Sequence, residues 1–237
     1  MKRAPRKLGR PTLLIVGCGD VGGRILARAR ARFRVLAVTR QAAQVASLRA
    51  AGAVPLRVDL DDARQVARLA PFAARVVHLA PPPERGARDS RTRRLLAAFG
   101  DRAGRLAYVS TTGVYGDRGG ALTDETTPTR PGTERARRRV DSEAVLRQHG
   151  RAGALRSSVL RAPGIYAHDR LPTQRLRAGL PALTPEDDVY TNHIHADDLA
   201  RLCLAALARG RPQRVYNAVD DSDLRMGDYL DAVARAT

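Results

Sequence analysis

Residues 17–22 read Gly17-Cys18-Gly19-Asp20-Val21-Gly22, a G-x-G-x-x-G spacing. The run follows an apolar segment, Thr12–Val16. It opens a second segment, Val21–Arg32, in which Val21, Ile25, Leu26 and Ala29 recur at helical intervals. A strand, a glycine turn and a helix in this order can hold a pyrophosphate. Gly17 permits the tight turn, Gly19 lets the backbone approach the anion, and Gly22 allows helix and strand to pack. The helix N-terminus at Asp20 and Val21 faces the negative charge. The expected cofactor is therefore a dinucleotide. The end of the second strand selects which one. There the chain reads Val38-Thr39-Arg40-Gln41, with no acid to take the ribose 2′-hydroxyl of NAD. Arg40, helped by Thr39, is expected to favour NADP through its 2′-phosphate, with NAD as the alternative. Asp59 and Leu60 are expected at the adenine edge. His78 and Ala80 are expected beside the nicotinamide, because ligands of open parallel sheets lie beyond the carboxyl ends of the strands.

These residues need a scaffold. Apolar strands at Thr12–Val16, Arg34–Thr39, Ala53–Val58, Arg75–Leu79 and Arg105–Ser110 alternate with helices at 21–32, 42–51, 61–69 and 90–99. Alternation of this kind implies right-handed crossovers and a parallel sheet covered on both faces. The second half keeps the rhythm more loosely. It holds a polar helix at 133–149, a sixth strand at Ser157–Arg161 and a proline-bearing loop at 167–188. A helix at 196–208, a short strand at Arg214–Asn217 and a final helix at 226–236 follow. The expected architecture is an α/β Rossmann-like doubly wound parallel sheet. A flexible basic tail, 1–11, precedes a single domain, 12–237. A small loop-rich lobe would be formed by about 162–195 and 218–237.

Lys+Arg total 42 against 24 Asp+Glu, a net charge of +18, and nearly all the cations are arginine. Such a surface attracts polyanions. Yet the arginines are spread along the whole chain and aromatics are only 4%, which argues against a dedicated nucleic-acid site. No apolar run reaches the roughly 18 residues of a membrane span, and no signal peptide is recognisable. The two cysteines, Cys18 and Cys203, form no disulfide framework. Both are expected to be structural, and a cytoplasmic location is expected. No His/Cys/Asp cluster has metal-ligand spacing.

Four segments occur in order: Gly17–Gly22, Tyr108–Asp117 (YVSTTGVYGD), Leu160–Ala167 (LRAPGIYA) and Asn192–Ala200 (NHIHADDLA). In this order and spacing they resemble the extended short-chain dehydrogenase/reductase superfamily, and its NAD-dependent epimerase/dehydratases in particular. The likeness spans about 12–217 and looks closest to the atypical members. The resemblance implies that Ser110, with Thr111 and Thr112, meets a substrate oxygen. It implies that Pro163 and Gly164 touch the nicotinamide end. It also implies that Tyr166, His193 and Tyr115 line the substrate cleft. One departure stands out. The family's catalytic helix carries Tyr-x-x-x-Lys, whereas the corresponding stretch here is Arg135-Ala-Arg-Arg-Arg139. Arg139 is expected to hold the ribose hydroxyls in place of the lysine. Arg135 cannot act as an acid, because a guanidinium stays protonated.

Three readings follow. The chain is an NADP-dependent oxidoreductase or epimerase-like enzyme with a relocated proton donor, Tyr115 first and His193 second. Or it binds NADP(H) as a non-catalytic sensor or scaffold. Or the Arg135, Arg138 and Arg139 face meets an acidic substrate or partner, with a solvated helix face as the plain alternative. A basic nucleic-acid-binding protein ranks third among the functional classes. A small-molecule substrate is expected, in a monomer or weak homodimer, since like charges on the 90–99 and 133–149 helices oppose symmetric packing. The family usually continues further beyond the Asn217 strand than this chain does.

Overall fold

The structure is a computed structural model, and it describes residues 9–153, 155–179 and 184–237. Residues 1–8 of the expected tail and Pro181 of the expected loop lie outside the described residues. In chain order the elements are β1 (Thr12–Val16), α1 (Asp20–Ala29), β2 (Arg34–Thr39), α2 (Gln44–Ala50), β3 (Val54–Arg57) and α3 (Ala63–Ala67). There follow β4 (Arg75–His78), α4 (Ser90–Phe99), β5 (Arg105–Thr111), α5 (Glu134–Arg151), β6 (Arg156–Ala162), β7 (Gly164–Tyr166) and α6 (Thr173–Arg177). The chain closes with β8 (His193–His195), α7 (Ala196–Arg209), β9 (Arg214–Asn217) and α8 (Met226–Ala236).

Seven strands form one parallel sheet in the order β3-β2-β1-β4-β5-β6-β9. The order turns back between β1 and β4, so the carboxyl ends of those strands flank a crevice. Alternate strand residues divide the core between the two faces. Leu13, Ile15, Ala37, Val77, Val109 and Leu160 face α1 and α7. Leu14, Val16, Leu36, Val76, Leu106 and Val159 face α3, α4 and α5. This explains why β1 carries no polar residue after Thr12: both of its faces are buried.

Two expectations are corrected in the second half. Gly164–Tyr166 and His193–His195 pair as a separate two-stranded parallel sheet, where the sequence suggested loop and helix approach. The 167–188 loop also contains the short helix α6. Both signals were too short to carry a period. Three-residue strands and a five-residue helix form because tertiary contacts hold them. Among the described residues, no helix is long and apolar enough to cross a membrane.

Candidate active site

The glycine turn lies at the crevice. Gly17 adopts φ 85°, and a Cβ there would stand 2.6 Å from the Ala80 nitrogen, so only glycine fits. The Ala80 and Leu79 amides both donate to the Val16 carbonyl, at 3.0 and 2.8 Å, which draws β4 against the turn. A Cβ on Gly22 would touch Cys18 Sγ at 3.0 Å, so its role is helix–strand packing. Gly19 differs, since a Cβ there would meet nothing within 4 Å. The open side of the turn is therefore at Gly19, where a pyrophosphate needs room beside the N-terminus of α1. The residues fit a dinucleotide. Val21 packs against the core. The Asp20 carboxylate accepts from Arg24 Nε at 2.9 Å and from Arg170 Nη1 at 2.8 Å, tying α1 to the turn at His168–Arg170. Burial pushes the Cys18 thiol up to about 11 and Cys203 to about 12, which suits inert core residues.

At the far end of β2, Thr39 is buried. Its hydroxyl donates to Gln44 Oε1 at 2.6 Å and accepts from the Gln41 amide at 3.1 Å. Thr39, expected to help hold the nucleotide, thus has its hydroxyl engaged in shaping the turn. Arg40 is exposed. With Arg57, Asp59 and Gln65 it lines a depression of about 370 Å³. The Asp59 amide donates to Gln65 Oε1 at 2.9 Å, and Leu60 is buried behind it.

The centre of the sheet edge holds a buried polar chain. Ser110, only 4% exposed, donates to Glu143 Oε1 at 2.6 Å. Arg161 forks onto the same carboxylate, with Nη2 at 2.7 Å from Oε2 and Nε at 3.2 Å from Oε1. The Arg161 guanidinium also lies 4.7 Å from the centre of the Tyr115 ring. Tyr115 is buried, and its hydroxyl donates to Asn217 Oδ1 at 2.7 Å. The Asn217 amide in turn donates to Glu125 at 2.8 Å. Ser110 and Tyr115, expected to face substrate, are thus engaged with their own chain.

Arg139 departs from its expected position at the ribose. It is buried, and Nη1 donates to Tyr108 Oη and to the Val109 carbonyl, both at 2.8 Å. A guanidinium on the sheet-facing side of α5 reaches these acceptors before it reaches the cleft. Arg138 is also buried and donates to the Gly86 carbonyl at 2.8 Å, whereas Arg135 is exposed. The expected three-arginine face is therefore split between interior and solvent. His78, expected beside the nicotinamide, is 1% exposed, and its Nε2 lies 2.8 Å from Thr92 Oγ1. Thr92 and Ser142 donate to Asp89 Oδ2 at 2.6 and 2.7 Å. Burial lowers the His78 pKa to about 4. Burial alone would raise Asp89, but the hydrogen bonds from Ser142 and Thr92 hold it below the usual carboxylate range.

The accessible rim is made of other residues. Thr111 and Thr112 are half-buried at the end of β5, and Thr111 Oγ1 accepts from the Gly113 amide at 3.2 Å. Pro163 is half-buried, Gly164 is exposed and Ala80 is buried under the turn. A Cβ on Gly164 would lie 2.9 Å from the His193 ring, so glycine lets β7 pass β8 closely. His193 is buried, and its ring stacks on Tyr229 at 3.8 Å between centroids. Tyr166 meets His193 and His195 edge-on, at 6.2 and 5.3 Å. Burial, then the nearby Asp220, raises the Tyr166 phenol above its ordinary value.

Sequence reasoning did not single out Arg161 and Glu143, which hold Ser110 and each other in the interior, or Arg57, which lines the depression with Arg40. A signal existed for Arg161: a lone cation inside the apolar strand Ser157–Ala162 must have a buried partner. Nothing comparable marked Arg57.

A search of curated proteins returned no match. Solved structures share the fold. A functionally unknown conserved protein from Silicibacter pomeroyi is 29% identical, with TM-score 0.75, covering 95% of this chain and 78% of its own. The UDP-glucose 4-epimerase of Thermus thermophilus, solved with NAD, is 24% identical, with TM-score 0.78 and coverages of 95% and 83%. The dTDP-glucose 4,6-dehydratase of Streptomyces venezuelae, also solved with NAD, is 24% identical, with TM-score 0.75 and coverages of 94% and 81%. A sequence profile of the NAD dependent epimerase/dehydratase family matches residues 13–218. The chain belongs to the NAD-dependent epimerase/dehydratase family.

Proposed function

We propose that this chain binds NADP(H) and works as an oxidoreductase or epimerase/dehydratase-like protein without a Tyr-x-x-x-Lys pair. The observation that carries the cofactor choice is at the end of β2. An acid would stand there to hold a 2′-hydroxyl, and instead the exposed Arg40 follows Thr39. A bound nicotinamide supplies hydride exchange with a carbon that carries oxygen. Thr111 and Thr112 offer hydroxyls on the accessible side of β5, where a substrate carbonyl or carbinol can be gripped. Tyr166, whose pKa is raised by burial and by Asp220, holds its proton at neutral pH and is the candidate proton donor of this reading. Arg139, bonded to Tyr108 and Val109, stiffens the junction of α5 with β5. A cytoplasmic compartment belongs to this reading, supported by two free, buried thiols.

A second reading, binding without turnover, is favoured by one observation. Ser110, Tyr115 and Arg139 are all buried, and each is bonded to its own chain.

Calorimetric titration of NADPH and NADH tests the first step. NADPH is expected to bind the more tightly, and tighter NADH binding would end the NADP reading. NADPH consumption over a panel of carbonyl compounds and nucleotide sugars then separates the two readings. Turnover that disappears in Thr111→Val, with the melting temperature kept, supports the enzyme. Tight binding with no consumption across the panel supports the sensor or scaffold.

A further inference from the structure

We infer that Arg57 is the second half of a two-guanidinium clamp for a phosphomonoester, with Arg40 the first, and that its ligand is the 2′-phosphate of NADP(H). The inference rests on the NADP reading above and deepens it by naming a residue that selects the cofactor. Nothing in the glycine motif or the β2 end points to Arg57; the depression it shares with Arg40 does. Arg57 is the parallel partner of Thr39, the residue just before Arg40. Both arginines are exposed, and both line the depression beyond β2 and β3. Neither makes a hydrogen bond or salt bridge among the described residues. Elsewhere in the molecule Arg24, Arg91, Arg161 and Arg170 are each held by carboxylates.

The acids nearby are already committed. Asp61 takes Arg91 at 2.6 Å and Arg94 at 3.4 Å. Asp62 caps α3 by accepting from the Arg64 and Gln65 amides. Asp59 accepts from the Asp61 amide at 2.9 Å, and Gln65 is fixed between the Asp59 amide and Asp62. The lining thus presents two cations and one anion, with the remaining polar groups locked. Two guanidiniums that line one depression repel each other, and an anion bound between them relieves that repulsion. A phosphomonoester carries about −1.5 to −2 charge at neutral pH and three acceptor oxygens, enough for two forks. The 2′-hydroxyl of NAD offers neither the charge nor the acceptors.

The test is calorimetry on the full chain and on three variants: Arg57→Ala, Arg40→Ala and, as a control on the exposed face of α2, Arg49→Ala. The probes are NADPH, NADH, adenosine 2′,5′-bisphosphate and inorganic phosphate. Arg57→Ala is expected to weaken NADPH and the bisphosphate about ten- to hundredfold, the worth of one charge-assisted bond. NADH should be unchanged, and Arg49→Ala should leave every probe unchanged. If Arg57→Ala keeps the NADPH-to-NADH ratio while Arg40→Ala abolishes it, the clamp is wrong and the NADP reading stands. A parent chain with no preference for NADPH overturns both. Inorganic phosphate binding as tightly as the bisphosphate overturns the 2′-phosphate as ligand. A thermal melt of each variant excludes unfolding as the cause, since an exposed side chain at a strand end should shift the midpoint little.

Discussion

Removing the Glu143 carboxylate should destabilise this protein more than any exposed substitution. Glu143 and Arg161 have side chains only 3% and 4% exposed, and they meet at 2.7 Å. At that separation and an effective dielectric near 20, the attraction is on the order of 5 kcal/mol, most of it offset by desolvation. Glu143→Ala removes the attraction and keeps the desolvation. Arg161 is left charged in the interior, where its Nη1 already lacks a hydrogen-bond partner. Ser110 loses the acceptor it holds at 2.6 Å. Breaking a buried pair costs about 3–5 kcal/mol, and a stranded hydroxyl adds about 1 kcal/mol. The total, about 4–6 kcal/mol, corresponds to a fall in melting temperature of roughly 10–20 °C for a chain of this size. Urea unfolding followed by far-ultraviolet circular dichroism is the assay, because the chain has no tryptophan. Two companions sharpen it. Glu143→Gln keeps an acceptor for Ser110 and should cost about half as much. Glu143→Leu with Arg161→Met removes both charges and should recover most of the loss. A cost below about 1 kcal/mol for Glu143→Ala, with an unchanged denaturant slope, would refute the buried-pair account.

Two further outcomes are expected. Gly19→Ala should melt within about 1 kcal/mol of the parent but bind NADPH at least tenfold more weakly, since its Cβ enters open space at the turn. Gly17→Ala, at φ 85° and 2.6 Å from the Ala80 backbone, should destabilise by several kcal/mol, and equal melting of the two variants would sink this distinction. The pH profile of stability tests His78. Its folded pKa, about 4, lies below the unfolded value near 6.5, so the unfolded chain binds the extra proton between them. Stability from this group is complete above pH 6.5 and is lost as pH falls towards 4, by up to about 3 kcal/mol. Asp89, held low by Ser142 and Thr92 against its burial, loses stability in the same direction. Unfolding measured from pH 7.5 to 4.5 should show His78→Gln with a flatter decline than the parent, and parallel curves would contradict the assignment.

The glycine turn, the doubly wound sheet and the place of Arg40 were legible from the chain alone. Each depends on local chemistry. A φ near +85° demands glycine, a strand buried on both faces must be apolar throughout, and β1 and β2 fall where those apolar runs stand. The interior of the site was decided only by tertiary structure. The buried face of α5 mixes Ala136, Val145 and Leu146 with Arg138, Arg139, Ser142 and Glu143. Its orientation comes from Tyr108 and Val109 on β5, Ser110 beside them, Arg161 on β6 and Asp89 before α4, each at least 18 residues from its partner on α5. Arg57 likewise looks like one more surface arginine until the β2–β3 register sets it beside Thr39. Hydrophobic periodicity reports which side of an element avoids water. It is silent where charges are buried by pairing with each other, because the pairing partners are chosen by the fold.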